Sequence, residues 1–265
     1  AYLESKFENY EKPTYQFSLN YNNTFAKRHN IGATFVWEMY NDKKNWVTGT
    51  RDFAIGLIPD LDYGNDSNQK SSGKTQKTAH AGWVGRLNYD YGNRYLVEFN
   101  FRYDGTYKFQ RGNRWGFFPG VSLGWRVSEE DFFKKLLPDM DNLKIRASYA
   151  KVGDEGDFDA FQYLDGYTSH GSYIMGSGGV TSGMTTVGMA NSWLTWYESK
   201  IMNVGFEVSY HRGLISMEFD WFRRNRSGLP ATRSGSLPTV FGESMPQENL
   251  NSDINTGFEI AIGHK

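Results

Sequence analysis

The sequence predicts an all-β protein, an antiparallel up-and-down transmembrane β-barrel to which this chain contributes about nine strands. Three observations support this fold: apolar and polar residues alternate with a period of two, short connections alternate with long ones, and aromatic residues make up 17% of the chain. Successive side chains of a strand point to opposite faces, so a barrel strand combines an apolar lipid-facing side with a polar interior side.

The alternation is clearest in residues 94–104, where one face is aromatic and aliphatic and the other is mostly charged. Segments of the same kind predict strands near 14–25, 30–42, 79–91, 94–107, 114–127, 142–152, 198–211, 214–226 and 252–264. Most of these segments are long enough to cross a bilayer at a tilt, which needs about 9–11 residues. A soluble β-sandwich, whose strands also alternate, is the alternative.

The period of two also predicts which way individual side chains point. We expect the following residues to face lipid: Tyr95, Val97, Phe99, Phe101, Leu143, Ile145, Met217 and Phe219. We expect the interior to receive Glu98, Arg102, Arg146 and Glu218. No run of apolar residues approaches the roughly 18 residues that a transmembrane helix needs.

The connections between predicted strands alternate in length, as they do in barrels with short periplasmic turns and long extracellular loops. Three are tight: Ala26–His29, Gly92–Asn93 and His211–Gly213. The fourth connection on that side, Ser128–Asp141, predicts a helical turn that Ser128 caps and Pro138 ends. The long connections on the other side are 42–78, 105–113, 153–197 and 226–251.

Charge and composition point away from several function classes. The net charge of −1 gives no electrostatic reason to expect a nucleic-acid partner, and a chain without cysteine has no disulfide and no thiolate metal site. The five histidines are scattered without metal-ligand spacing, and residues 176–179 lack the strand-to-helix setting of a phosphate-binding loop. We therefore expect no catalytic residue, no metal and no cofactor.

The interior charges allow two interpretations. They are Arg86, Asp90, Glu98, Arg102, Asp104, Lys144, Arg146, Glu207, Glu218 and Asp220. A cross-strand charge ladder, or contact with another domain filling the barrel, is the simpler interpretation. Contact with a ligand is the alternative.

The loop 154–197 is the best candidate for a functional site, because it combines many aromatic residues with Gly, Ser and Asp. Aromatic faces beside small polar side chains suit the capture of sugar rings or apolar groups. We predict that ligand or a partner protein contacts Tyr163, Tyr167, Trp193 and Trp196. The alternative is that the aromatic residues pack the loop into a lid or against a partner protein.

Four segments resemble one family of transporters. They are RLNYDYGNRYLVEFNFRYDGTYKFQRGNRWGFFPGVSLGWRVSEE (86–130), NLKIRASYAKVGD (142–154), NSWLTWYESKIMNVGFEVSYHRGLISMEFDWFRR (191–224) and NTGFEIAIGHK (255–265). In this order they are similar to conserved blocks of the SusC/RagA-type TonB-dependent outer-membrane transporters. The resemblance covers most of residues 80–265.

The resemblance implies an outer-membrane nutrient importer of glycan or peptide, with no catalytic residues. Its barrel would have 22 strands around an N-terminal plug. Its partners would be a SusD-like surface lipoprotein, the TonB complex acting through the plug, the oligosaccharide or peptide substrate, and outer-membrane lipid. No plug sequence is found here, and nine strands cannot close a bacterial barrel, so we expect residues 1–265 to be part of one β-barrel domain.

Two other functions stay open at this point. An outer-membrane barrel enzyme would need Ser/His or Asp/His residues converging on the extracellular loops, where only His170 lies within a loop and His80 lies at the edge of another. A soluble glycan-binding β-sandwich would need the aromatic faces to pack into a closed core.

Overall fold

A computed structural model describes residues 2–52, 60–175, 179–233, 238, 240, 242–243 and 245–265. Within these ranges the chain forms twelve strands, one short α-helix and two 3-10 helices. The first strands are β1 (Tyr2–Glu11), β2 (Thr14–Phe25), β3 (His29–Asp52), β4 (Asn65–Tyr91), β5 (Tyr95–Thr106) and β6 (Trp115–Arg126). The others are β7 (Met140–Asp154), β8 (Tyr167–Met175), β9 (Gly179–Thr186), β10 (Tyr197–Tyr210), β11 (Ile215–Thr232) and β12 (Gln247–His264).

All nine predicted strands are present, and the all-β antiparallel fold is confirmed. Three strands were not predicted, namely β1 and the hairpin of β8 and β9. The predicted loops 42–78 and 226–251 are partly wrong, because β3, β4, β11 and β12 continue well into them. Among the described residues, no helix is both long and apolar enough to cross a membrane.

The chain divides into two compact units. The larger comprises Ser18–Trp37 and Gly82–Lys265. Strands β3, β4, β5, β6, β7, β10, β11 and β12 follow one another in its sheet, and β2 also pairs with β3. The pairs from β5 onwards are antiparallel, as in a meander, while β8 and β9 form a separate two-stranded sheet.

The register of the larger unit sorts its side chains into two faces. Phe99 lies opposite Val121, which lies opposite Tyr149, and this row is apolar throughout. The adjacent row joins Asn100 to Gly120. Exposure alternates in step, with Tyr95, Val97 and Phe99 between 40% and 45% exposed.

The apolar face is therefore open rather than packed. A β-sandwich would bury these aromatic residues in a closed core, so the sandwich alternative is wrong. The seven buried hydrophobic residues among the described ones include Phe109, Phe158 and Leu194, which lie in or beside loops.

The three tight connections are type I′-like turns. Gly92 and Asn93 have φ of 59° and 61°, and the twist of such a turn matches that of the strands it joins. Ala26–Lys27 and His211–Arg212 adopt the same left-handed conformation, with φ between 47° and 59°. Alanine, lysine, histidine and arginine disfavour this backbone conformation because of their Cβ atom. The pairing of the flanking strands therefore imposes the turns at Ala26–Lys27 and His211–Arg212.

The longer connection between β6 and β7 contains the helix α1 (Asp131–Leu136). The predicted helical turn is present, but Ser128 does not cap it: Ser128 lies buried in a preceding 3-10 helix, and Glu130 occupies the N-cap position. The Glu130 side chain makes no capping bond either.

Glu130 instead anchors this connection to the sheet. Its carboxylate accepts hydrogen bonds from the Tyr95 hydroxyl (2.6 Å), the Trp125 indole N–H (3.2 Å) and the Arg94 guanidinium (3.1 Å). Tyr95 and Trp125 lie opposite each other on the apolar face, so each ring is placed among apolar neighbours while its polar atom reaches the carboxylate. These bonds, first those from Tyr95 and Trp125, hold the pKa of Glu130 below its ordinary value.

We expect Glu130→Gln to lower the stability of the folded protein at neutral pH. A carboxylate whose pKa is lowered by folding stabilises the protein above its unfolded pKa and loses that contribution as the pH falls through its folded pKa. Unfolding in urea at neutral and acidic pH should therefore show a difference between wild type and variant that shrinks in acid. Glu129→Gln is the matched control, because Glu129 is exposed and bonds Lys134. An equal loss for both variants at every pH would contradict the anchor.

The smaller unit comprises Ala1–Phe17 and Glu38–Ala81. In it β1 runs antiparallel to the distal half of β3, from Tyr2 opposite Asp52 to Glu11 opposite Lys43. Exposed ion pairs of 2.7 Å join Glu8 to Lys6 and to Lys44. Such surface pairs contribute little stability, so the backbone ladder is what holds this strand.

Candidate functional site

The polar face of the larger unit forms an open concavity of about 930 Å³. Its wall carries asparagines of β2, β3, β4 and β10 beside charged residues of β4, β5 and β7. The polar residues supply both donors and acceptors, and apolar side chains such as Leu96, Val97 and Leu123 lie beside them.

Ion pairs cross this face from strand to strand at six of the ten predicted interior charges, while Arg102 pairs with Asp104 within its own strand. Arg86 bonds Glu98 at 2.6 Å. Further along the sheet, Arg146 reaches Asp220 at 2.5 Å and Lys144 reaches Glu207 at 3.4 Å. Because positive and negative groups neutralise one another, these paired residues give this part of the sheet no net preference for an anionic or a cationic ligand.

At the end of the sheet opposite the tight turns, residues 105–114, 154–166 and 187–197 form what we call the loop platform. Its centre is a cluster of Phe109, Phe158, Leu194 and Tyr197, which are 1% to 7% exposed. Phe109 packs edge-to-face on Phe158 at 5.5 Å and on Trp196 at 5.9 Å, a favourable arrangement for aromatic rings. The platform thus has a hydrophobic core of its own.

Asparagine side chains fix the backbone of residues 191–195. The amide of Asn191 donates to the Gln247 carbonyl (2.7 Å) and its oxygen accepts the N–H of Trp193 (2.9 Å). Asn249 bonds both the N–H (3.1 Å) and the carbonyl (2.8 Å) of Thr195. Asn113 donates to the carbonyl of Ser192 at 3.2 Å. These side-chain hydrogen bonds satisfy backbone N–H and C=O groups of the loop, and they hold it in place without regular secondary structure.

Two of the four predicted site residues are built into the platform. The indole N–H of Trp196 donates to the carbonyl of Arg114 at 3.0 Å, and its ring packs on Phe118 at 5.3 Å. The hydroxyl of Tyr163 accepts a bond from the Arg114 guanidinium at 3.3 Å. Both side chains are half-buried, and each makes contacts that hold the loop in place.

The other two predicted residues face solvent. Tyr167, at the start of β8, is 68% exposed, and Trp193 is 84% exposed although it sits between clipped residues. The hairpin of β8 and β9 that follows Tyr167 also carries exposed apolar side chains, among them Tyr173, Ile174 and Met184 at 60% to 77%. The site therefore has two parts: a packed aromatic cluster that holds the loops, and exposed aromatic and aliphatic side chains that a ligand or partner can reach.

A pocket of about 450 Å³ lies beside Trp193. It is lined by Ala190, Asn191, Trp193, Pro246, Glu248 and Asn249. The Glu248 carboxylate pairs with Arg233 at 3.0 Å. The pocket thus combines an aromatic plane, a proline ring and a carboxylate that is paired with Arg233.

No group of three or more His, Asp or Glu residues is placed to hold a metal ion in the part of the chain that the structure describes. His80 lies stacked on Tyr40 at 4.8 Å in the smaller unit. The side chain of His170 and residues 176–178 of the glycine-rich loop lie outside the described residues.

Sequence reasoning missed the asparagines, Arg114, Phe109 and Glu248. Several of their contacts join residues far apart in the sequence, such as the bond of Asn249 to Thr195, 54 positions away, and that of Trp196 to Arg114, 82 positions away. One local signal was available: asparagine in a loop commonly bonds nearby backbone, and Asn191 precedes the exposed tryptophan by two residues.

Comparison with known proteins gives a consistent match along the whole chain. A family model described as "TonB dependent receptor-like, beta-barrel" matches residues 2–264. TonB-dependent receptor P39 of Formosa agariphila is 30% identical over 256 residues, which is 93% of this chain and 23% of that protein. TonB-dependent receptor SusC of Bacteroides thetaiotaomicron is 34% identical over 184 residues, or 69% of this chain and 18% of that protein.

Among solved structures, the RagAB peptide transporter superposes on 98% of this chain with a TM-score of 0.81. The identity is 17%, so this likeness concerns the fold, and the chain covers 28% of that structure's chain. The chain spans about a quarter or less of the length of the curated relatives it matches.

Proposed function

Because the chain belongs to the TonB-dependent receptor-like β-barrel family, we propose that it forms part of the wall and the outer loops of a TonB-dependent nutrient importer. Members of this family are outer-membrane β-barrel receptors. The observation that carries the proposal is the family match over residues 2–264, on a sheet with one open apolar face and one charged face. Such a sheet fits a wall between lipid and a polar lumen.

The proposal includes the rest of the molecule. A plug domain that contacts TonB and further strands would complete the barrel, of which residues 1–265 are one part. The 34% identity to SusC supports a SusD-like surface lipoprotein as partner, and the cargo would be a glycan or a peptide. RagAB is a peptide transporter, which keeps peptide among the candidate cargoes. The family match to receptors supports transport without covalent chemistry.

We further propose that the loop platform and its hairpin meet the cargo and the lipoprotein. Tyr167 and Trp193 would make direct contact, because they are exposed. Tyr163 and Trp196 would support the loop rather than contact the ligand, since both are bonded to Arg114. The exposed apolar residues of the β8–β9 hairpin form a surface that a protein partner would cover.

Removing the hairpin from the full-length transporter tests this proposal. Residues 168–185 would be replaced by a short Gly-Ser linker, which is feasible because Tyr167 and Thr186 are paired neighbours at the hairpin's base. Phe158 and Leu194 stay in place, so the platform keeps its core. We expect the barrel to insert normally while lipoprotein co-purification and cargo uptake fall.

A second variant tests whether the apolar side chains of the hairpin, rather than its length, are needed for binding. Replacing Tyr173, Ile174 and Met184 by serine keeps the hairpin and removes its exposed apolar groups. We expect the same loss of lipoprotein co-purification. If both variants insert normally, retain the lipoprotein and import cargo at the wild-type rate, the hairpin has no part in partner or cargo binding.

A further inference from the structure

Trp193 is exposed although three residues close to it in the sequence are buried. Its side chain is 84% exposed, whereas Leu194 is 4%, Asn191 is 8% and Tyr197 is 7% exposed. An exposed indole leaves a large apolar area in contact with water, which is unfavourable unless something covers it. Its neighbours show that the segment had room to turn apolar groups inwards.

The backbone that carries Trp193 is held from both sides. Its own N–H is bonded to Asn191, and the carbonyl of the preceding Ser192 is bonded to Asn113. The next residues are fixed by the buried Leu194 and by Asn249, which clips Thr195. A ligand that stacks on the indole therefore meets an ordered backbone and pays less conformational entropy on binding.

Some polar groups of the adjacent pocket are already hydrogen-bonded to the backbone, and others can still bind a ligand. The amide groups of Asn191 and Asn249 are occupied by backbone bonds to Gln247, Trp193, Thr195 and Gly228. Glu248 and Arg233 are paired at 3.0 Å, with side-chain exposures of 24% and 53%. A carboxylate accepts at several lone pairs and a guanidinium donates through five N–H groups, so one mutual bond leaves both able to bind a ligand.

We infer that the pocket of Trp193, Pro246 and Glu248, together with Arg233, is a stacking subsite for a neutral sugar ring. A sugar ring has an apolar C–H face that packs on an indole and hydroxyls that donate to Glu248 and accept from Arg233 at the same time. The pocket volume of about 450 Å³ is within the range of small-ligand sites. This inference rests on the proposed function, and it makes a glycan the expected cargo of the transporter.

The ion pair favours a neutral ring over the charged ends and charged side chains of a peptide. Glu248 and Arg233 neutralise each other, so a charged terminus or side chain gains attraction from one partner and repulsion from the other. Hydroxyl groups carry no charge and lose nothing in this way. An indole next to a neutral pair is thus better matched to a hydroxyl-rich ring.

The experiment uses the full-length transporter purified with its lipoprotein partner. The wild type and the variants Trp193→Ala, Trp193→Phe and Glu248→Gln are incubated with a mixture of neutral hexose oligosaccharides and, in a separate arm, with a tryptic digest of casein. Bound molecules are recovered and quantified by mass spectrometry. Tyr63→Ala is the control, because Tyr63 is a 69% exposed loop aromatic outside the platform.

We expect the wild type and Tyr63→Ala to retain oligosaccharide equally, and Trp193→Ala to retain it about tenfold less well. Trp193→Phe and Glu248→Gln should fall between them, since each keeps part of the site. Retention of peptide alone, retention of neither probe, or equal retention by Trp193→Ala would each overturn the inference. TonB-dependent uptake by whole cells is measured in parallel, so a transporter that imports peptides would refute the sugar subsite and leave the proposed function intact.

Discussion

Phe109→Ala is expected to loosen the loop platform by about 3–5 kcal/mol, the usual effect of removing a buried phenylalanine ring. Phe109 is 1% exposed and lies at the centre of the cluster, with Phe158 and Trp196 packed edge-to-face on it. The three platform segments meet at this ring, so the vacated space removes contacts from all of them. The strands below have their own backbone ladders and should remain folded.

Hydrogen exchange of the full-length protein in detergent measures this effect. Amides that exchange when the platform opens, including those of Leu164, Trp193 and Thr195, should exchange about a hundredfold faster or more in the variant, since each 1.4 kcal/mol is a factor of ten. Amides of β5 and β6 should be unchanged. Leu164→Ala, which removes a 58% exposed side chain from the same loop, is the matched control and should leave exchange nearly as in the wild type. Unaltered platform protection in Phe109→Ala would show that the asparagine clips alone hold the loops.

The sequence predicted the strands best where each has one apolar and one polar side. Residues 95–103 alternate without interruption on their apolar face, and exposure alternates with them over residues 95–100. Lipid on one side and a polar lumen on the other impose a strict period of two, which is visible in a single sequence. The tight turn at Gly92–Asn93 was predictable for a similar reason, because few residue pairs favour two positive φ angles in succession.

Strands whose two sides are both polar could not be predicted. Strand β4 begins with the sequence NDSNQKSSGKTQKT, and strand β3 ends with KKNWVTGTRD. Both segments are hydrogen-bonded strands, and neither shows much alternation of apolar and polar residues. When neither face is apolar, the period of two disappears from the sequence. What remains is backbone pairing, such as that of β1 with β3, which leaves no mark in composition.

How the aromatic residues of the candidate site are arranged was predictable only in part. The aromatic content of residues 154–197 singled out a segment that contributes to the loop platform, and two of the four chosen aromatics, Tyr167 and Trp193, are exposed. Which aromatics are buried could not be read from the sequence, because burial depends on Phe109 and Arg114 in a different loop. The pocket beside Trp193 depends on Glu248, 55 positions away in the sequence.

Phe99→Arg is the change that should distinguish the two faces of the sheet most sharply. Phe99 is the middle of five aromatic or aliphatic residues that point to the apolar face of β5 from Tyr95 to Tyr103, and it is 42% exposed there. In the proposed barrel wall, a central position in this row lies near the middle of the bilayer. An arginine on the lipid face at that depth costs about 2–4 kcal/mol, because the charge has neither water nor a counter-ion.

Asn100→Arg places the same charge one residue further on the opposite face, which makes it the matched control. Asn100 lies across from Gly120 and donates to Glu98 at 3.1 Å, so an arginine there has room over a glycine and a carboxylate within reach. Unfolding of the full-length protein in phospholipid vesicles by denaturant should show a large loss for Phe99→Arg and little change for Asn100→Arg. The difference depends on the side of the sheet alone, since strand, depth and introduced residue are the same. Equal losses would mean that both faces of β5 meet the same environment, which a barrel wall between lipid and a polar lumen does not allow.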